Sequence, residues 1–190
     1  MHVSGIERFD RYYRRKRLAL RLMSHRARAQ TASDWSGLTL HQLVTLRRRW
    51  MPDSEDGFRR PRPTSYAPFF SSALKARHAA LFAGIHRMVG ITSSVPSLEG
   101  GEKLCVAYEI FREWEPDAHL EFDYAVLLAR GVLKAEEVEL IRCQSCGCAL
   151  LIDKWGKMQR NCEWCRSRTT SPEFSRNSEF GARVRSKWRG

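Results

Sequence analysis

At 190 residues the chain can bury one sizeable core, or one core with a small appendage that needs its own staple, and two ordinary globular domains would be a tight fit. Hydrophobic residues at 43% and charged residues at 28% exclude a wholly disordered chain, and no run of 18 apolar residues exists to span a membrane. The net charge of +12 is the unusual property, and its distribution points to a polyanionic partner: residues 1–62 carry 15 basic and 6 acidic side chains, residues 63–153 carry 8 and 12, and residues 154–190 carry 10 and 3.

The first predicted element is a helix over residues 6–30, with Ile6, Phe9, Tyr13, Leu18, Leu20 and Leu22 as its apolar contacts around the run Arg14, Arg15, Lys16 and Arg17. This N-terminus has charges but no continuous apolar stretch or small-residue cleavage site, so a secretory signal is not expected and the expected location is the cytoplasm. The segment AQTASDWSGLTLHQLVTLRRRW, residues 29–50, reads as two helices broken at Ser36-Gly37, with Thr39 as N-cap of the second. Leu40, Leu43, Val44 and Trp50 fall at near-helical spacing, with Leu46 beside them, and Arg47, Arg48 and Arg49 cluster at the C-terminal end. Length and the small residue at the turn match a helix-turn-helix, although any pair of core helices joined by Ser-Gly would look the same.

Met51 to Pro68 holds four of the seven prolines and reads as a loop or linker over about 51–68, from which Arg59, Arg60 and Arg62 can reach a phosphate backbone. Three further helices follow: 69–89, ended by Gly90; 101–114, ended before Pro116; and 120–140, interrupted near Gly131. Their apolar stripes are core or partner-facing surface. The expected organisation is a helical DNA- and partner-binding domain over 1–140, a metal module over 141–168, and a basic tail over 169–190.

The strongest chemical signal is CQSCGCALLIDKWGKMQRNCEWC, which spaces Cys143 and Cys146, fifteen residues, then Cys162 and Cys165. Two residues between thiols let a tight turn aim both sulfurs at one ion, and two such turns complete a tetrahedron of thiolates. Zinc, one ion per chain, is the expected cofactor. A saturated site leaves no position for water, so its role is structural. A redox motif of thioredoxin type also uses C-x-x-C, but as a single copy in a βαβ setting. Cys148 offers a substitute ligand, and Cys105 reads as a buried small hydrophobe. ALLID and KMQRN on either side of Trp155-Gly156 suit a short β-hairpin.

In order, SGLTLHQLVTL, the linker ending in SYAPFF, HAALFAGIHRMVG, LCVAYEIF, and LIRCQSCGCALLI with CEWC resemble the FlhC family, over roughly residues 18–168. That family comprises the C subunit of the bacterial flagellar master transcriptional activator. The resemblance implies a mainly α fold with a four-cysteine zinc site, at which Cys143, Cys146, Cys162 and Cys165 match the ligands. It further implies assembly with FlhD in a hetero-oligomer, and activation of flagellar class II promoters through double-stranded DNA. Cys148, the N-terminus and the tail after Thr169 depart from the family pattern.

Candidate DNA contacts in and beside the helix-turn-helix-like segment are Thr39, His41, Gln42, Arg47, Arg48, Arg49, Arg59 and Arg60. A second copy of the chain is a further candidate partner. No membrane or small-molecule substrate is expected. The competing readings are an adaptor that binds a protein through its helices, and a zinc-ribbon RNA-binding protein. The six histidines are scattered and no nucleophile motif or phosphate loop is present, so an enzyme is not expected.

Overall fold

The computed structural model describes residues 3–51, 61–156 and 160–170. Arg59, Arg60 and the tail from residue 171 lie outside them. The fold is mainly helical: α1 (Val3–Ser24), α2 (Ala29–Ser36), α3 (Leu40–Trp50), α4 (Ala73–Met88), α5 (Leu98–Trp114) and α6 (Phe122–Lys134) precede β1 (Val138–Arg142), β2 (Ala149–Asp153) and α7 (Glu163–Thr170). Among the described residues no helix is long and apolar enough to cross a membrane.

The single helix expected over residues 6–30 is two. Arg26 takes a left-handed φ of 58°, and α1 stops at Ser24 without glycine or proline. α1 closes locally, Arg26 N–H donating to the Met23 carbonyl at 2.9 Å and Ala27 N–H to the Leu22 carbonyl at 3.0 Å, and the start of α2 is held from a distance: the Asp123 carboxylate of α6 accepts the Arg28 backbone N–H at 3.2 Å and the Thr31 hydroxyl at 2.6 Å. A carboxylate there satisfies one backbone N–H at the helix start, that of Arg28, and suits the positive end of the helix dipole. Phe9 and Tyr13, expected among the apolar contacts of α1, are exposed, while Leu18, Ala19 and Leu22 face the core.

Two arginines of α1, of which Arg14 belongs to the basic run, are engaged within the chain. Arg14 pairs with Glu102 and Arg21 with Glu109, each through two guanidinium nitrogens. Both residue pairs are seven apart on their helices, so α1 and α5 lie side by side with matched ion pairs.

α2 and α3 meet as the sequence predicts. Gly37 is left-handed at φ 69° and its N–H donates to the Ser33 carbonyl, ending α2. Thr39 then begins α3 with a capping box: its hydroxyl accepts the Gln42 N–H, and the Gln42 side chain accepts the Thr39 N–H. Leu43 and Leu46 are buried, whereas Leu40, Val44 and Trp50, expected on the apolar stripe, are exposed.

The core centres on Phe82 of α4, Phe111 of α5 and Phe122 of α6, all buried. Tyr108 stands edge-on to Phe122 at 5.0 Å and donates its hydroxyl to the Leu120 carbonyl at 2.8 Å, which satisfies a polar group deep in an apolar setting. Leu74, Met88 and Trp114, which continue the apolar stripes of α4 and α5, are exposed.

The expected helix over 120–140 ends at Lys134, where Ala135 is left-handed, and residues 138–142 form β1 instead. Val138 and Leu140 then alternate inward with period two. β1 pairs antiparallel with β2, Leu140 opposite Leu151, so ALLID is a strand as expected but its partner precedes the cysteines. The hairpin loop is the first cysteine pair itself. The expected boundary between residues 140 and 141 crosses β1, and Val138, Leu140 and Leu151 belong to the same core as the helices. α4 packs against both strands.

Candidate metal centre

The two cysteine pairs arrive from different directions. Cys143 directly follows the hairpin's first strand and is buried, and its N–H donates to the Cys148 carbonyl across the loop at 2.8 Å. The loop turns because Gly147, at φ 75°, donates its N–H to the Cys143 carbonyl at 2.9 Å, a conformation that L side chains rarely adopt. This brings Cys146 back beside Cys143. The second pair sits at the start of α7: Cys162 immediately precedes the helix, its carbonyl accepting the Arg166 N–H at 3.0 Å, and Cys165 lies in the first turn. The loops are tied together by Gln144 N–H to the Arg160 carbonyl at 3.0 Å, and by Asn161, whose side-chain oxygen accepts the Ser145 hydroxyl at 3.1 Å.

The four sulfurs of Cys143, Cys146, Cys162 and Cys165 all lie within 4.8 Å of one another. Metal–sulfur bonds of about 2.3 Å set tetrahedral edges of about 3.8 Å. The Cys146 and Cys162 sulfurs are 3.7 Å apart. A four-coordinate ion therefore fits with little movement, and a saturated thiolate set holds structure rather than reacting. Cys148 has its sulfur 3.3 Å from that of Cys146 but does not belong to the mutually close four. Its place as a substitute ligand is thus beside the tetrahedron, not at a corner.

Electrostatics favour thiolate on the first pair. Backbone N–H groups, that of Cys162 first (3.2 Å to the sulfur), bring the Cys143 thiol down to about 6, and backbone hydrogen bonding also lowers Cys146. A hydrogen bond with the Cys162 sulfur, then burial, pushes the Cys165 thiol up to about 12, and burial does the same to Cys148. At neutral pH Cys143 is already charged and Cys165 still holds its proton. Metal binding must expel that proton, so affinity should fall as the pH falls, more steeply below about 6 where Cys143 is protonated as well. Chelator competition at pH 7.5 and 5.5, read by cobalt–thiolate absorption, checks this; equal affinity at both would contradict it.

The helix-turn-helix-like candidates divide. Thr39 and Gln42 are exposed but spend their side chains on each other's backbone as the cap of α3. His41, Arg48 and Arg49 are exposed on α3, and Arg47 is half-buried. The cysteines and these residues form separate groups; the structure does not bring them into one site. Asn161, Ser145 and Gly147 shape the metal loops and were not singled out from sequence, where only adjacency to the cysteines marks them. No family model and no curated protein matches the chain.

Proposed function

We propose that the chain is the DNA-binding subunit of a bacterial transcriptional activator of FlhC type, which acts with an FlhD-type partner at flagellar class II promoters and carries one structural zinc ion. The observation that carries the reading is the α2–α3 pair. Three residues, Gly37 to Thr39, separate the helices, the turn is left-handed at Gly37, and the second helix is capped at its start. Two buried leucines, Leu43 and Leu46, root α3 in the core and leave His41, Thr45, Arg48 and Arg49 outward. A helix offered in this way suits the major groove, with arginine the commonest reader of guanine and of phosphate. Zinc is the natural occupant for four thiolates in tetrahedral array.

The exposed apolar groups speak for a protein partner as well. Leu40, Val44 and Trp50 on α3, and Phe9, Tyr12 and Tyr13 on α1, are too large an apolar outlay for a surface that meets only water. An FlhD-type subunit or a second copy of the chain would cover them. The adaptor reading explains these side chains but not the arginines beside them.

Co-expression with an FlhD-type partner should give a stable hetero-oligomer that protects a flagellar promoter from cleavage, with affinity falling steeply as salt rises. Replacing Arg48 and Arg49 together by alanine should weaken promoter binding by roughly tenfold or more. Binding to random and promoter DNA with equal affinity would sink the activator reading, and a stable monomer without a footprint would sink it together with the partner.

A further inference from the structure

A cleft of about 30 Å³ lies between α2, α6 and the segment after residue 61. Arg28, Arg62 and Arg130 line it together with Trp35, Asp34 and Asp123. Three cations thus face two carboxylates, and both carboxylates are engaged. Asp123 serves the start of α2 and stands 3.3 Å from the Arg28 Nε; Asp34 accepts the Gln30 side-chain amide at 2.7 Å. Among the described residues neither Arg62 nor Arg130 forms an ion pair. Arg130 instead lies over the Trp35 ring, 5.5 Å from its centroid.

A second observation converges on this cleft. Among the described residues the buried side-chain polar atoms without a hydrogen-bond partner are Arg28 Nε, Trp35 Nε1 and Arg130 Nε, and all three belong to residues that line it. All three are N–H donors; Arg28 Nε has the Asp123 carboxylate as its counter-charge at 3.3 Å, which leaves Trp35 Nε1 and Arg130 Nε as the two without a hydrogen-bond or ion-pair partner among the described residues. Buried donors without acceptors are costly, and a guanidinium out of water without a counter-charge more so. Burial, with the charge of Arg62, accordingly lowers the Arg130 pKa. What Trp35 Nε1 and Arg130 Nε lack is an acceptor, since the Asp34 and Asp123 carboxylates of the same wall are engaged by other groups. The space holds roughly two waters, the bulk of one phosphate group rather than of a nucleotide.

We propose that the cleft binds a single phosphate-type oxyanion, clamped between the guanidinium groups of Arg62 and Arg130 with the Trp35 indole N–H and Arg28 behind. Planar guanidinium forks match oxyanion geometry, which supplies direction as well as charge. The phosphate can belong to a nucleic-acid backbone or to a free phosphate group, and the site stands independently of the promoter-binding reading.

The test uses the full-length chain and inorganic phosphate. Phosphate should raise the melting temperature above that in chloride at equal ionic strength, with saturation. Arg62→Gln and Arg130→Gln should each weaken phosphate binding by calorimetry by roughly tenfold or more, while Arg48→Gln, on α3, leaves it unchanged. Arg62 is exposed, so Arg62→Gln keeps its fold and decides the matter if Arg130→Gln does not. No stabilisation beyond chloride, or undiminished binding in Arg62→Gln, overturns the proposal. A duplex arm identifies the source. If Arg62→Gln also lowers the salt dependence of DNA binding by about one phosphate contact, the phosphate is that of the backbone. If phosphate binding is lost while DNA binding is unchanged, it is a free phosphate group. Absence of any DNA binding would defeat the activator reading and leave the oxyanion site standing.

Discussion

Cys162→Ser is expected to release the metal and to unfold the two cysteine loops while the helical core survives. A serine hydroxyl stays protonated near neutral pH and is a poor partner for an ion that three thiolates still hold. Structural zinc is worth on the order of 10 kcal/mol of apparent binding energy, which in a small module is also folding energy. The extent of unfolding is where the structure bears. Were residues 141–168 a free-standing unit, all of it would melt. Instead Val138, Leu140 and Leu151 are buried with the helices, and α4 packs on both strands. Amide exchange should therefore accelerate through 143–148 and 160–168, while β1, β2 and α4 to α6 keep their protection. Metal content by mass spectrometry gives the other readout. One full equivalent retained by Cys162→Ser would show that the ligand set is wrong. Cys148→Ser, which alters the sulfur beside the tetrahedron, should keep its metal.

The parts legible in the sequence are those whose determinants are local. Ser36-Gly37 and Thr39 end one helix and start the next through bonds that span five residues or fewer, so the α2–α3 turn reads directly from the string. The four metal-site sulfurs are legible for a related reason: each pair is fixed by a two-residue spacing, and only the meeting of the two pairs is long-range. Where the determinant is distant, the string misleads. The break between α1 and α2 has neither glycine nor proline, and what stabilises the start of α2 is a carboxylate 95 positions away. Strand β1 was hidden because Leu133 and Leu140, seven apart, continue a helical period past Lys134. Its pairing with β2 decides otherwise, and a strand partner cannot be seen in a helical pattern. Phe9, Tyr13, Leu40, Val44 and Trp50 have apolar spacing that sequence assigns to a core, and the fold leaves them outside. Hydrophobic period alone does not distinguish one's own core from a surface kept for another chain.

The second large effect is expected at Asp123. Its carboxylate is buried and accepts two hydrogen bonds, from Arg28 N–H and from the Thr31 hydroxyl, and it faces the Arg28 guanidinium at 3.3 Å. Asp123→Ala would leave that cation buried without its counter-charge and the first turn of α2 without an acceptor. Removing one partner of a buried pair costs about 3–5 kcal/mol. For a domain whose total stability is about 5–15 kcal/mol, that is a large fraction, read as a lower urea midpoint with the slope unchanged. Two further substitutions separate the sources of the loss. Asp123→Asn keeps the volume and one acceptor oxygen, so it should recover the hydrogen-bonded part and lose the charge part. Replacing Arg28 by methionine in the Asp123→Ala background removes the stranded cation and should restore some of the stability, because desolvating the pair is itself expensive. If Asp123→Ala and wild type unfold at the same denaturant concentration, Asp123 does not hold the start of α2, and the α1–α2 break rests on the local bonds of Arg26 N–H to the Met23 carbonyl and Ala27 N–H to the Leu22 carbonyl.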